Sequence, residues 1–525
     1  MRIRNEALIT VASLGFFVTA FALFLVALGE ADTVSSTSSA SIYIEKWVFL
    51  VIVTLLLSGN LVYQLARLGY LRRIARHHAL SHATLEAIYD ATAPSVAILI
   101  PTYKEEQRVL RQTILSAALC EYPARRIAVL IDDPPDSLGP DAAGLRTTRR
   151  LVVQLHERFE VKARWLQREQ HDFLCRMKAG LLERQAEAEQ AARLYEGVAE
   201  WLDEWATRFE SSAQPAFAHV DRLFVEKVLR APAADHRACA MALRSAPPDE
   251  QGLMREYRRL ASLLHVEIKS FERKRYANLS HQANKAMNLN SYIGLMGRSF
   301  REVKSNAQPY LVECEASEAT FAVPDAEYLL TLDADSIVLP DYALRLTHIL
   351  MKNPRVAVAQ TPYSAFPGAP GLLERVAGAT TDIQYIIHQG FTRFAATYWV
   401  GANAMLRLSA LRDICTYTEE RGYRLPVFIQ ERTVIEDTGS TIDLVRRGWT
   451  LYNYPERLAY SATPPDFGSL VIQRRRWSNG GLVILADLVR YLRRAPKRLS
   501  WLAEALMRAH YLCSPAIANI GLLAL

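Results

Sequence analysis

Apolar, strand-like runs in this chain end repeatedly in pairs of carboxylates. Residues 127–131 stop at Asp132 and Asp133, Tyr328–Leu332 stops at Asp333-Ala334-Asp335, and the segment from Val434 carries Glu436 and Asp437. Short apolar runs of this kind are buried strands, and polar groups just past their carboxyl ends mark an α/β sheet that gathers ligands along one edge. Residues 95–100 form a further run, stopped by Pro101-Thr102-Tyr103, and 105–118 are spaced as a helix. Strand, helix, strand with short links opens a parallel sheet. The pattern resumes with a helix over 342–351, a strand over Val356–Gln360, and further segments at 401–407 and 434–445.

The ends of the chain differ in kind. Residues 8–28 hold no charge and as a helix would span about 30 Å, one bilayer crossing. Residues 47–66 form a second candidate, with Ser58, Asn60 and Gln64 as tolerable polar positions. A cleaved signal peptide is the alternative for the first. Arg2 and Arg4 suit it, but the apolar run is too long and no small-residue cleavage site follows. Arg2 and Arg4 precede the first span, and Arg67, Arg72, Arg73 and Arg76 follow the second. The loop between them holds Glu30, Asp32 and Glu45 against Lys46. Positive charge stays inside, so both basic ends and the large middle region are expected in the cytosol of a multi-pass protein of the inner or plasma membrane.

The net charge of +7 comes from these clusters together with Arg490, Arg493, Arg494, Lys497 and Arg498. They flank apolar segments, and no nucleic-acid module is present, so anionic membrane lipids are the expected partner rather than nucleic acid. The six cysteines are scattered without a CxxC pair, which fits reduced thiols and neither a zinc site nor a disulfide framework.

The domain organisation expected is two spans within 1–76, an α/β domain over 90–465, and a helical insertion at 140–275. A helix over 466–500 then turns basic and amphipathic, and 501–525 begins a third apolar segment. That segment, interrupted by Glu504, Arg508 and His510, reads as a span cut short by the end of a fragment. The insertion is charged, poor in Gly and spaced as amphipathic helices, with a solvated face or a protein partner as its expected surface.

Asp333 and Asp335, at i and i+2, share a face of an extended strand end. Hard carboxylate oxygens suit Mg²⁺ or Mn²⁺, which bridge to diphosphates; a solvated turn is the bland alternative. Asp132 and Asp133 can accept hydrogen bonds from a base or ribose, or cap the turn before Pro134. Glu436 or Asp437 can take a proton from a hydroxyl, or stabilise a helix start. Gln473, Arg476 and Trp477 share one helix face, fit to pair with phosphate and stack on a sugar. A basic helix lying on the membrane is the other reading, particularly for Arg474 and Arg475.

With these residues in place, the chain resembles the membrane family-2 inverting glycosyltransferases, and within them the processive synthases of cellulose, hyaluronan and chitin. The resemblance covers the spans, 94–133 and 275–525. Pro101-Thr102-Tyr103-Lys104-Glu105 looks like the family's opening loop, with Lys104 where Asn is usual. Lys285-Ala286-Met287-Asn288-Leu289-Asn290 resembles its Lys-Ala-x-x-Leu-Asn nucleotide loop. Gly401-Ala402-Asn403-Ala404 resembles its acceptor-side segment, and Gln473-x-x-Arg476-Trp477 its signature for holding a growing chain.

The resemblance implies a GT-A fold, a Rossmann-like mixed sheet flanked by helices. It implies UDP contacts from Tyr103, Asp132 or Asp133, and Lys285. Asp333 and Asp335 would hold donor and metal, Asp437 would be the base, and Gln473, Arg476 and Trp477 would line the diphosphate and acceptor end. Ile435 replaces the usual Thr before Glu436-Asp437, and the 140–275 insertion is longer than the family's pattern. The expected activity is transfer from a UDP-sugar to a polysaccharide. Single transfer to a lipid, giving a glycolipid, and an inert scaffold docking partners through the insertion are the rivals.

Overall fold

Two helices open the chain, α1 (Arg2–Val34) and α2 (Ala40–Ile74). In this computed structural model, which describes residues 2–34, 40–212, 214, 217–304, 308–401, 403–496 and 499–524, both are long and apolar enough to cross a membrane. Leu8, Phe16, Leu23 and Trp47 are exposed on them. Such a surface is costly in water and costs nothing against lipid tails. Most of the acidic inter-span loop, along with Ala402, Lys497 and Arg498, lies in whole or part outside the described residues.

Short α3 (His82–Glu86) leads into β1 (Val96–Thr102), α4 (Gln107–Ala118) and β2 (Arg125–Ile131). Five helices follow: α5 (Gly139–Lys178), α6 (Arg184–Ser211), α7 (Ala218–Phe224), α8 (Ala231–Ser245) and α9 (Glu250–Leu263). One turn of π-helix, Val225–Arg230, joins α7 to α8. Their inner faces bury Phe159, Phe173, Tyr195 and Tyr257 in the same core as Val96, Ile98 and Ile100 of β1. Phe173 stacks on Tyr257 at 4.1 Å between centroids. The helices are therefore a layer of the main core, and only their outer faces are solvated. The helical character expected through Arg275 ends at Leu263. Beyond it, β3 (Glu267–Phe271) buries Ile268 and Phe271, exposes Lys269 and Ser270 between them, and pairs in parallel with β2 as the sheet's edge.

Next come α10 (Lys285–Ile293) and a small antiparallel sheet of β4 (Arg298–Val303), β5 (Tyr310–Glu313) and β6 (Phe321–Val323). The main sheet resumes with β7 (Tyr328–Leu332), buried at every position, and β8 (Ile337–Val338) pairs elsewhere. After α11 (Tyr342–Lys352) come β9 (Val356–Gln360), α12 (Leu372–Arg393), β10 (Asn403–Arg407) and α13 (Leu408–Asp413). The hairpin β11 (Thr416–Glu420) and β12 (Tyr423–Val427) precedes α14 (Glu436–Arg446), β13 (Thr450–Asn453) and β14 (Ala459–Tyr460). Two long helices, α15 (Phe467–Arg494) and α16 (Leu499–Ala524), complete the chain.

The seven-stranded sheet runs β13-β9-β10-β7-β1-β2-β3. Only β10 is antiparallel to its neighbours, so the fold is a mixed α/β sheet with helices on both faces. At one end of the sheet, α12 packs along α2 where Gly69 and Gly390 meet, and a Cβ on Gly390 would run into the Ala66 carbonyl. Backbone cannot yield there as a side chain does. Gly390→Ala is expected to destabilise the protein by about 1–3 kcal/mol, read as an earlier melt in detergent.

Candidate active site

The carboxyl ends of β1, β2, β3, β7, β9 and β13 lie along one sheet edge, and antiparallel β10 brings its amino end there, with Asn403 beside Leu332. The candidate residues follow these strand ends and the starts of two helices. They fall into two neighbouring groups.

The first group closes β1, β2 and β3. Asp132 and Asp133 are buried, and Tyr103 is exposed beside them. Arg273, which has no exposed surface, donates from Nε to Asp132 Oδ1 at 2.8 Å. Lys274 Nζ lies 3.4 Å from Asp132 Oδ2 and 5.8 Å from the Tyr103 ring centre. Burial raises the Asp132 carboxyl above its ordinary range, against the pull of Arg273 and Lys274. Asp132 thus serves as the anchor of two cations. Asp133 receives the Lys104 backbone N–H at 3.3 Å, across a left-handed residue, Lys104, with φ of 53°.

The second group lines a cavity of about 410 Å³. Lys285, Asp333, Glu436, Asp437, Gln473, Arg476 and Trp477 all face it. Tyr103, Asp132, Asp133 and Asp335 are not among its lining residues. Glu105, at the end of β1, links the groups: partial desolvation raises its carboxyl, helped by Asp333 and Asp133.

Asn284 caps α10, accepting from Met287 N at 2.7 Å, and so delivers Lys285 at the helix start. Lys285 Nζ pairs with Asp333 Oδ1 and lies 3.9 Å from Glu436 Oε1. Burial opposes its charge, but Asp333, Glu436 and Asp437 outweigh burial and hold it protonated. Asp333 and Asp335 occupy a tight turn between β7 and β8, closed by Ser336 N on Asp333 O at 3.0 Å. The extended i, i+2 geometry expected of them is replaced by this turn. The turn sets Asp333 toward the cavity and Asp335 behind it. Desolvation and the Asp333 charge push the Asp335 carboxyl up to about 7.

Asp437 starts α14, where its Oδ1 takes its neighbour Thr438 N–H at 2.6 Å. It borders the cavity but is otherwise surrounded by protein, and burial together with Glu436 raises it to about 7, despite Thr438 and Lys285. Gly401 makes room for it. Its φ is +40°, and a Cβ there would strike Asp437 Oδ2. On α15, Arg476 Nη2 reaches Val434 O at 3.4 Å. Arg474, expected on the membrane face, instead donates to Thr380 Oγ1 at 2.6 Å and stacks over Trp477 at 4.6 Å. This ties α15 to α12 and fixes the indole.

Arg273, Lys274 and Tyr363 were not found from the sequence, and Glu105 was read there only as part of the opening loop, without a role. Tyr363, just past β9, feels Asp335 and Asp333 and donates to Ala462 O at 2.9 Å. The strand-end rule that found Asp132 would have reached Arg273 and Lys274 had 267–271 been read as a strand.

A divalent ion fits the Asp333 and Asp335 pair in donor chemistry. Both offer hard oxygens, and the Asp335 carboxyl, raised first by burial and then by the Asp333 charge, is one that a cation placed beside it would return to the ionised form. Among the described residues, no group of three or more His, Cys, Asp or Glu side chains is set to hold a metal. One or two carboxylates completed by substrate phosphates and water is the usual Mg²⁺ arrangement.

If Asp437 must be ionised to act, kcat/KM rises with pH and inflects near the value of about 7. Glu436→Gln removes the like charge beside it and is expected to move that limb to lower pH. An unmoved limb would assign the titration to another group, such as Asp335.

Residues 328–524, less than half of the chain, match the sequence profile described as glycosyl transferase family group 2. Over these residues the chain is similar to family-2 glycosyltransferases, processive polysaccharide synthases among them. Over 201 residues the chain is 26% identical to a probable glucomannan 4-beta-mannosyltransferase 7 of Oryza sativa subsp. japonica, covering 38% of this chain and 31% of that protein. It is 24% identical over 185 residues to cellulose synthase 1 of Komagataeibacter xylinus, covering 34% of this chain and 11% of the synthase. The matched region thus spans a third or less of these relatives. Among solved structures, a mannosyltransferase from Pyrobaculum calidifontis in complex with GDP-Man and Mn²⁺ aligns with a TM-score of 0.43 at 10% identity. That alignment covers 90% of this chain and 85% of that one.

Proposed function

We propose that this chain is a membrane-embedded inverting glycosyltransferase of GT-A type, moving a sugar from a UDP-sugar to the hydroxyl end of a growing polysaccharide. The observation that carries this is the single cavity in which a carboxylate titrating near neutrality, Asp437, faces Lys285, Asp333 and the Gln473, Arg476 and Trp477 face. The relatives' printed activity, β-mannosyl transfer to glucomannan, supports a hexosyl group and a polysaccharide product.

In this reading Asp437 takes the proton from the acceptor hydroxyl as its oxygen attacks the anomeric carbon from the face opposite the diphosphate. Glu436 keeps Asp437 basic enough for the task. Lys285 and Arg476 pair with diphosphate oxygens, and Gln473 donates to them. Trp477, held flat by Arg474, stacks on the terminal sugar of the acceptor. Tyr103 and Asp133 bind the nucleoside, with Asp132 fixing Arg273 and Lys274 behind them. Asp333 and Asp335 would hold Mg²⁺ or Mn²⁺, which when bound offsets the negative charge of the departing diphosphate. The α1 and α2 helices anchor the protein as a multi-pass membrane enzyme with the sheet in the cytosol, against anionic lipids.

The test is nucleoside diphosphate release by membranes carrying the protein, with each common UDP- and GDP-sugar and Mg²⁺ or Mn²⁺. Release with one donor names the sugar, and the size of the product separates polymer from singly glycosylated lipid. Silence with every donor would sink the enzyme reading and favour a scaffold that docks partners through the α5–α9 layer.

A further inference from the structure

A second cavity, of about 540 Å³, lies where α2 leaves its apolar segment and meets the end of α12. Four guanidinium groups, of Arg72, Arg73, Arg76 and Arg393, line it together with His77 and His78. Arg393 comes from the last turn of α12, more than 300 positions along the chain, so the cluster is made by the fold and not by one basic stretch. No acidic side chain lines the cavity among the described residues. Glu456, close by, is already matched by His77 at 2.7 Å and Arg345 at 3.4 Å.

The four arginines are not equivalent. Arg72, Arg76 and Arg393 are exposed and have no ion-pair partner among the described residues. Arg73 is half-buried and fully engaged: Nε donates to Gln389 Oε1 at 3.0 Å, Nη2 to Asn453 O at 2.7 Å, and its plane lies 4.8 Å over Tyr452. Gln389 and Asn453 also line the catalytic cavity. Arg73 therefore lies one hydrogen bond away from the lining of the other cavity. Like charges held this close repel unless an anion joins them, and planar guanidinium forks match phosphate oxygens.

We propose that this cavity binds a phosphate-bearing ligand through Arg72, Arg76 and Arg393. The cluster sits at the end of a membrane-length helix, so the headgroup of an anionic phospholipid in the cytosolic leaflet is the nearest source. That source rests on the membrane placement proposed above; the phosphate chemistry does not.

The experiment uses the full chain in nanodiscs of phosphatidylcholine with and without phosphatidylglycerol. Bound phosphatidylglycerol is counted by native mass spectrometry, and inorganic phosphate is titrated separately by calorimetry. Nucleotide release is followed in parallel. Retention of phosphatidylglycerol, lowered about tenfold or more in R72Q/R76Q/R393Q and largely kept in R72K/R76K/R393K, is expected. Binding of inorganic phosphate alone, with the same dependence on the variants, supports the site and assigns it to a soluble phosphate. Equal retention of either probe by wild type and the glutamine variant overturns the proposal. Binding that changes while no sugar is ever transferred would leave the site intact and sink the enzyme reading instead.

Discussion

Asp437→Asn is expected to lower the turnover number about 10³-fold while nucleotide binding stays within a few-fold of wild type. The amide is nearly the same shape and can still accept the Thr438 N–H seen at 2.6 Å, so the start of α14 has no reason to move. What is lost is the capacity to hold a proton. Among the described residues the carboxylate makes no ion pair within 4 Å, and Lys285, which acts on it only at longer range, is paired with Asp333, so a loss confined to turnover points to proton transfer.

A second readout guards this conclusion against unfolding. The Asp437 carboxyl titrates at about 7 in the folded protein, held up by burial and then by Glu436. An unfolded aspartate titrates near 4. Between those values the folded state binds the additional proton, so stability falls as pH rises through the window, and the deficit persists above it. The neutral amide removes that deficit. At about pH 8 the variant should melt no lower than wild type, with a gain on the order of 1 kcal/mol once water in the cavity is allowed for. An inactive variant that melts higher locates the defect in chemistry. One that melts much lower would mean that Asp437 supports the helix start.

How much of this was legible in the sequence depends on where the information lies. β1, β2, β7 and β9 could be read directly, because strands buried on both faces are short continuous apolar runs, and their length sets them apart from the membrane-length runs near the start of the chain. Their carboxyl ends then pointed to Asp132, Asp333 and, through the helix after Val434, Asp437. β3 escaped because an edge strand exposes Lys269 and Ser270, and so reads as part of the charged helices before it. The α5–α9 layer was seen as helical but not as core: an amphipathic stripe shows that a face is buried without showing against what. Phe159 and Tyr195 reach the same apolar cluster as Ile98 only in three dimensions. The tight turn at Asp333 and the tether from Arg474 to Thr380 are tertiary outcomes as well, since local spacing predicts an extended pair and an outward arginine.

The Asp333 and Asp335 pair gives the other large expected effect. Asp335 is raised to about 7 by burial and by Asp333, so the pair resists full ionisation while Lys285 is its chief counter-charge. A donor diphosphate would bring further negative charge into the cavity that Asp333 faces, with Asp335 just behind, and can sit beside the pair only if positive charge arrives with it. Chelation with EDTA is therefore expected to abolish transfer, and Mg²⁺ or Mn²⁺ to restore it. Asp333→Asn and Asp335→Asn should each cost about 10²-fold or more in kcat/KM. Binding separates the two roles. Calorimetric affinity for UDP in Mn²⁺ should fall in both variants toward the wild-type value without metal. The metal-free affinity of Asp333→Asn should hold or rise, because Lys285, freed from Asp333 Oδ1, can turn fully to the diphosphate. Turnover that survives EDTA, with both variants still active, would mean that Lys285 and Arg476 alone carry the leaving group, and that the carboxylate pair serves to position Lys285.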